Sequence, residues 1–424
     1  MKITAVGDCA MQKNLPKYYD GFAQIRDYIM QGDVRFFNME TTVCEDCFPA
    51  THSGGTWMRT SPDVLEDALE YGFNVTTSAN NHCMDYAYDG FLQTLDNFKK
   101  VRLPQCGGGR NLAEASRPVY LDTPNGRAAI IGCTVSYSPG AEAGEQSRDL
   151  PGRPGINPLR VDKVVYVPQE DLDALSRIAD KTKLNGYQNI LRAEGYLPPA
   201  QPDALSFCNT KFQMGDPHIS YTLSEYDMER IERAIRDAKF QADVVLVSIH
   251  NHSICGESKE EVPDFLVEFA HRCIDAGAHA ILGHGPHLLQ AVELYKGLPI
   301  FYSLGDFILQ LENCEILPDD FYRKYGLMPD AGIYEVFKTR TKNFTAGLQY
   351  QRVMMEAVIP YFEIEEGKLT HLEMIPIELG YGMKHSRIGW PRVEKGSEIL
   401  QRLIDLSEPF GTQMYIREGK LIVV

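Results

Sequence analysis

Short apolar runs in this chain repeatedly end on groups that bind metal ions or carry protons. Residues 3–6 lead to Gly7-Asp8, residues 34–37 to Asn38-Met39-Glu40, and residues 74–77 to Asn80-Asn81-His82. Further on, residues 244–249 lead to His250-Asn251-His252, Ile281-Leu282 to His284-Gly285-Pro286-His287, and residues 300–304 to Gly305-Asp306. Asp8, Glu40, Asn81, His250, His284 and His287 are therefore the expected metal ligands. Carboxylate, amide oxygen and imidazole together suit Mn, Fe or Zn better than Ca or Mg. A carboxylate can bridge two ions, and two divalent transition metals roughly 3.5–4 Å apart activate water for in-line displacement at phosphorus. The leaving group then needs an acid that is not a ligand. His82, beside Asn81, is expected to supply it, with Asp85 orienting the imidazole by a hydrogen bond. Asn38, His252 and Asp306 are possible additional donors.

Each residue also has a plainer reading. Asp8 could cap a helix, Asn38 could brace Glu40 or a loop, and Asp85 could cap a turn. His252 could be an exposed turn residue, and His279 in "AGAHAIL" is expected to pack at a strand start. The argument for a site is their common address. Uninterrupted β-branched runs of this length are expected of strands buried on both faces. Helical stretches fit between them: Ser61-Pro62 opens one that Gly72 closes, Asp89 opens another with Phe91, Leu92, Leu95 and Phe98 inward, and Phe265 and Phe269 face inward before Gly277. Strand–helix alternation means an α/β fold, whose ligands sit beyond the carboxyl ends of the strands. Asp8, Glu40, His82, His250 and His284 all fall at that edge.

Two regions break the rhythm. Residues 138–225, rich in Pro, Gly and charge with a helix near 169–179, read as an insertion where substrate choice would be set. Residues 350–424 alternate and turn at Glu366-Gly367 and Glu418-Gly419, which reads as a second sheet packed on the first. The expected organisation is a single domain spanning 1–424.

A net charge of -16 argues against non-specific nucleic-acid binding and against a polybasic membrane patch. No stretch approaches the ~20 apolar residues of a membrane helix. The run after Lys2 is too short for a signal-peptide core, so a cytoplasmic location is expected. Ten cysteines scattered over 424 residues do not suggest a disulfide framework, and Cys44 and Cys47 read as buried or loop thiols.

The blocks "GD" (7–8), "NME" (38–40), "ANNHCMDYAYDG" (79–90), "GGGRNLAEA" (107–115), "ADVVLVSIHNH" (242–252), "DAGAHAILGHGPH" (275–287) and "GLPIFYSLGDF" (297–307) resemble the CapA family of capsule and poly-γ-glutamate biosynthesis. That family looks like a branch of the calcineurin-like metallophosphoesterases. The resemblance implies a four-layer sandwich, two mixed sheets flanked by helices, and a dinuclear hydrolase-like site. The chain departs from the pattern in four places. Ala10 stands where the calcineurin-like enzymes carry a histidine, and His252 offers a replacement. His284 and His287 are three residues apart instead of two. Asn251-His252 stands where relatives carry Trp, and Asp306 where they carry Asn. The expected function is metal-dependent hydrolysis of a phosphoester in an anionic small molecule or polymer. The alternatives are γ-glutamyl amide hydrolysis, or a non-catalytic partner in polymer biosynthesis.

Overall fold

The apolar runs become strands whose carboxyl ends meet at one edge. The structure, a computed structural model, describes residues 1–16, 19–51, 53 and 55–424. The strands that matter for the site are β1 (Lys2–Ala10), β2 (Val34–Met39), β3 (Val75–Thr77), β4 (Gly126–Thr134), β5 (Val244–His250), β6 (Ala280–His284), β7 (Leu298–Phe301) and β8 (Asp306–Leu309). β1, β2, β3 and β8 run parallel in one sheet. β4, β5, β6 and β7 run parallel in a second, which antiparallel strands Val119–Thr123 and Val292–Tyr295 close at its edges.

Alternate residues sort onto two faces, as the period of a strand requires. Ile3, Ala5, Val34, Phe36 and Val75 of the first sheet share one buried cluster with Ala128, Ile130, Val244, Leu246, Ala280 and Leu282 of the second. The sheets therefore pack face to face. Each buried Leu, Ile, Val or Phe there contributes about 1.5–3 kcal/mol. Val6, Phe37 and Met39 point the other way, against Ile25 and Ile29 of α1 (Phe22–Ile29) and Val64 and Leu65 of α2 (Val64–Glu70). α2 ends where Gly72 turns at φ +93°. α3 (Ala87–Lys100) begins two residues before Asp89, which lies in its first turn and faces the positive end of the helix dipole. α4 (Asp264–Ala276) buries Phe265, Leu266 and Phe269 and packs on β6 of the second sheet. Helix, sheet, sheet and helix make the four-layer sandwich of the metallophosphoesterase type.

The C-terminal strands correct one expectation. β9 (Glu356–Glu365) and β10 (Lys368–Glu378) form the hairpin expected at Glu366-Gly367, yet they extend the first sheet instead of building the second. β1 has two edges: β2 takes one, and β9 pairs antiparallel with the other through Lys2, Ile3 and Thr4. Alternation identifies a strand but not the edge it will satisfy. The terminal hairpin at Glu418-Gly419 continues the same sheet.

Residues 160–227 form a separate compact unit, whereas 138–159 belong to the main one. Ile156 pairs with Gly108, and Ala141 and Ile156 are buried beside Met84 and Phe91. The 160–227 unit holds a four-stranded sheet and two helices, Gln169–Thr182 and Gly186–Ala193. Its ends meet: Arg160 N–H donates to Asp227 Oδ2 at 2.9 Å, and Ser224 N–H donates to Arg160 O at 2.9 Å. Among the described residues no helix is long and apolar enough to cross a membrane.

Candidate metal centre

Asp8, at 0% exposure, lies across from Asn38 on β2 and Asp306 on β8. Its Oδ2 accepts the Gly285 N–H at 2.7 Å, and its Oδ1 accepts from Asn38 Nδ2 at 2.6 Å. Gly285 reaches that position at φ +122°, where a Cβ would come within 2.6 Å of the Asn251 carbonyl oxygen, so only glycine fits. Asn38 is a brace. Its Oδ1 accepts from Asn80 Nδ2 at 3.0 Å, and Asn80 also donates to the Met39 carbonyl at 2.8 Å.

Four imidazoles surround the carboxylates. His250 Nδ1 stands 2.8 Å from His284 Nδ1, and these nitrogens lie 3.5 and 3.1 Å from Asp8 Oδ1. His284 Nε2 meets Ser248 Oγ at 2.8 Å. On the other side of its ring, His250 Nε2 is 2.7 Å from Asn81 Oδ1 and 3.6 Å from Glu40 Oε1. His252 Nε2 shares both neighbours, at 3.2 and 3.6 Å. His287 Nδ1 is 3.0 Å from Asp306 Oδ1. The three-residue spacing from His284 is absorbed by two left-handed residues, Gly285 and His287 itself at φ +62°. That conformation costs a non-glycine residue about 1–2 kcal/mol, and here it returns the ring to the cluster.

Three donor groups result: Asp8, His250 and His284; Glu40, His250 and His252; and Asp8, Glu40, His287 and Asp306, with the donor atoms of each group within 4.8 Å of one another. All six predicted ligands converge, together with His252 and Asp306. The departure at Ala10 looks different in this light, because Asp306, not His252, joins Asp8, Glu40 and His287.

The donor set fits divalent metal. Glu40 is 1% exposed, and neither of its carboxylate oxygens has a hydrogen-bond partner among the described residues. Asp306 Oδ2 is in the same position. Buried carboxylates are costly unless paired or coordinated. Metal–ligand bonds of about 2.1 Å place adjacent ligand atoms about 2.9–3.4 Å apart, close to the spacings found here. Asn81 and His252, the partly exposed members, mark the open side of the cluster.

The charges show the same preparation. Burial, with Asp8, Asp306 and Asp85 nearby, pushes the Glu40 carboxyl well above its usual range, and burial also raises Asp306. Burial would raise Asp8 too, but its contacts with His250 and His284 outweigh it and hold Asp8 well below the carboxylate range. Burial lowers His250 to about 4. Burial and the adjacent His250 and His287 lower His252, although 28% of its side chain reaches solvent. Burial would lower His287, and Asp306 more than offsets it. At neutral pH His250 and His252 thus offer free lone pairs, whereas at the raised groups Glu40, Asp306 and His287 protons compete with a cation up to a higher pH than usual. Metal binding near pH 7 is therefore expected to release protons, and affinity to rise with pH through those raised values. Calorimetric titration with Mn in two buffers of different ionisation enthalpy reads the release directly, and equal heats in both would contradict it.

His82 and Asp85 form a dyad. His82 Nδ1 lies 2.7 Å from Asp85 Oδ2. That oxygen also accepts the Met58 N–H at 2.8 Å, so Asp85 is the acceptor and Nδ1 the donor, which leaves Nε2 for chemistry. The backbone is pinned by His82 N–H to Asn80 Oδ1 at 3.1 Å and Thr42 Oγ1 to His82 O at 2.7 Å. His82 is close enough to act electrostatically on His252, and Asp85 on Glu40. His279 packs as expected, its Nδ1 accepting the Val245 N–H at 2.9 Å. All ten cysteines are free, with Cys44 buried and Cys47 exposed. Sequence reading missed Ser248 and the Gly285 amide. Ser248 left a signal, a lone hydroxyl inside the apolar run 244–249.

The family model described as bacterial capsule synthesis protein PGA_cap matches residues 2–311, from β1 through β8. The chain belongs to this family. Among its relatives, an uncharacterized protein of Sinorhizobium fredii (strain NGR234) is 32% identical over 432 residues, covering 98% of this chain and 91% of that one. The capsule biosynthesis protein CapA of Bacillus anthracis is 27% identical over 247 residues, 58% of this chain and 42% of that one. A probable polyglutamine synthesis accessory protein of Mycobacterium tuberculosis is 24% identical over 395 residues, 92% of this chain and 77% of that one. The match to the capsule-synthesis family contains every donor of the cluster.

Proposed function

We propose that this capsule-synthesis family member is a metal-dependent hydrolase that cleaves phosphoester bonds with activated water. The carrying observation is Glu40, a buried carboxylate without a partner among imidazoles and two further carboxylates. One divalent cation would be held by Asp8, Glu40, His287 and Asp306, and a second by Glu40, Asn81, His250 and His252, with His284 the donor on the Asp8 side. Such a pair supplies a water nucleophile at neutral pH and neutralises charge on the phosphoryl group. The chain's own residues do the rest. Asn38, Gly285 and Ser248 fix the donors, and the neutral imidazoles of His250 and His252 leave their lone pairs unprotonated. His82 Nε2 donates a proton to the departing oxygen, with the ring held by Asp85.

Chelation is expected to abolish hydrolysis, and Mn, Fe or Zn to restore it better than Ca, because imidazole donors disfavour Ca. Undiminished turnover by metal-stripped protein would refute this reading. A second reading, γ-glutamyl amide cleavage, is favoured by the relatives' names, which speak of capsule and PGA biosynthesis and polyglutamine synthesis. A panel of phosphomonoesters, phosphodiesters and γ-glutamyl peptides on metal-loaded protein separates the two. Purified protein that holds no transition metal and turns over nothing would instead favour a non-catalytic partner in polymer synthesis.

A further inference from the structure

Lys259 lies in the loop between β5 and α4, and that loop is tied down beside the metal cluster. Gln290, three residues past His287 and 2% exposed, donates its Nε2 to Lys259 O at 2.8 Å and to Glu261 O at 3.2 Å. The lysine is half-buried, and its charge acts on Asp306 and on His287. Among the described residues Lys259 is the one lysine or arginine that acts on both, more weakly than their mutual pairing and Asp8 do. Among the described residues, Lys259 Nζ has no hydrogen bond and no carboxylate within 4.0 Å. By contrast Arg148, Arg153 and Arg160 are each paired with a carboxylate: Asp149, Glu142 and Asp227.

The half-buried Lys259 keeps its ammonium group in contact with solvent, open to a dissolved anion. Asp306 is within electrostatic reach, but its Oδ1 faces His287 Nδ1 at 3.0 Å. Three carboxylates against two divalent cations would leave a positive centre, and Lys259 adds to that charge. An anion is the missing partner. We propose that Lys259 binds an anionic oxygen of the substrate, on the Asp306–His287 side of the cluster. The group it recognises is a phosphoryl oxygen, or a carboxylate if the substrate is a γ-glutamyl chain. The inference rests on the metal-site reading above and adds the residue that selects for substrate charge.

The test uses full-length, Mn-loaded protein with inorganic phosphate and glutarate as probes, comparing wild type with Lys259→Met and Lys259→Arg. Lys259→Met keeps the length of the side chain and removes its charge. It is expected to retain metal by elemental analysis and to lose about ten- to a hundred-fold in phosphate affinity, the share of a charge-assisted hydrogen bond. Lys259→Arg should recover most of that affinity. With a hydrolysable substrate the loss should fall on KM more than on kcat. Glutarate binding that depends on Lys259, with phosphate binding absent, would keep the anion-binding role while refuting phosphoester hydrolysis. Equal phosphate and glutarate affinities in wild type and Lys259→Met at equal metal content would overturn the proposal. So would loss of metal in Lys259→Met, which would make the lysine part of the metal site's charge balance.

Discussion

Glu40→Gln is expected to strip metal from the protein and with it essentially all hydrolysis, a larger loss than any other single substitution should produce. Glutamine has the shape of glutamate, so the packing at 1% exposure is kept and only the charge is removed. Glu40 belongs to two of the three donor groups and, among the described residues, is the one carboxylate of those groups with neither oxygen hydrogen-bonded. Two unit charges 4 Å apart interact by about 4 kcal/mol at an effective dielectric near 20, and a pair of divalent ions by about four times as much. A shared carboxylate offsets that repulsion, whereas a neutral amide does not. Bound metal should fall by at least one equivalent, and kcat/KM by about 10³-fold or more, the range of lost electrostatic stabilisation in such sites. The same substitution should stabilise the metal-free protein, because it removes a carboxylate that burial and its neighbours make hard to ionise. A raised carboxyl pKa means that the folded metal-free chain binds the proton more tightly than the unfolded chain. This destabilisation is absent below the unfolded value near pH 4.3 and grows as pH rises. Melting temperatures of metal-free wild type and Glu40→Gln should therefore diverge with pH, the variant melting higher. Full metal content in the variant would refute the shared-ligand role.

The common edge was readable because parallel strands are buried on both faces, which makes an apolar run ending in Asp8, Glu40 or His250 conspicuous. The convergence of Asp8, Asn81 and His284 follows from that one pattern. Asp306 shows its limit. The run at 300–304 reads as a strand leading to Asp306, but the strand stops at Phe301, the chain crosses between the sheets, and Asp306 opens β8 beside Asp8. No local pattern announces such a crossing. The C-terminal hairpin formed as expected, but its sheet was misassigned for the same reason, since pairing with the free edge of β1 is decided by long-range burial. Lys259 left no trace in the sequence, because a lysine among Glu257, Glu260 and Glu261 reads as a solvated loop. Its role depends on Gln290 pulling that loop toward the cluster.

His82→Ala should fail in a different way from Glu40→Gln, keeping its metal and losing rate. His82 belongs to none of the three donor groups. Its Nδ1 is occupied by Asp85 Oδ2 at 2.7 Å, and Asp85 is held in turn by the Met58 amide. A ring fixed in that way presents Nε2 for proton transfer, so the expected loss is about 10²–10⁴-fold in kcat, the usual share of general acid catalysis. Metal content should stay near that of the wild type. The loss should shrink for substrates with nitrophenolate leaving groups, which depart without a proton, and be greatest for alkyl phosphoesters. Asp85→Asn tests the positioning role. The amide can still accept from the Met58 N–H, but its oxygen holds the imidazole less firmly than a carboxylate. A smaller rate loss with an altered pH profile is expected, again at full metal content. Elemental analysis beside kinetics on paired leaving groups reads all of this in one set of variants. If His82→Ala loses metal, His82 is a ligand, and the acid must be sought at His252, the partly exposed imidazole at the open side of the cluster.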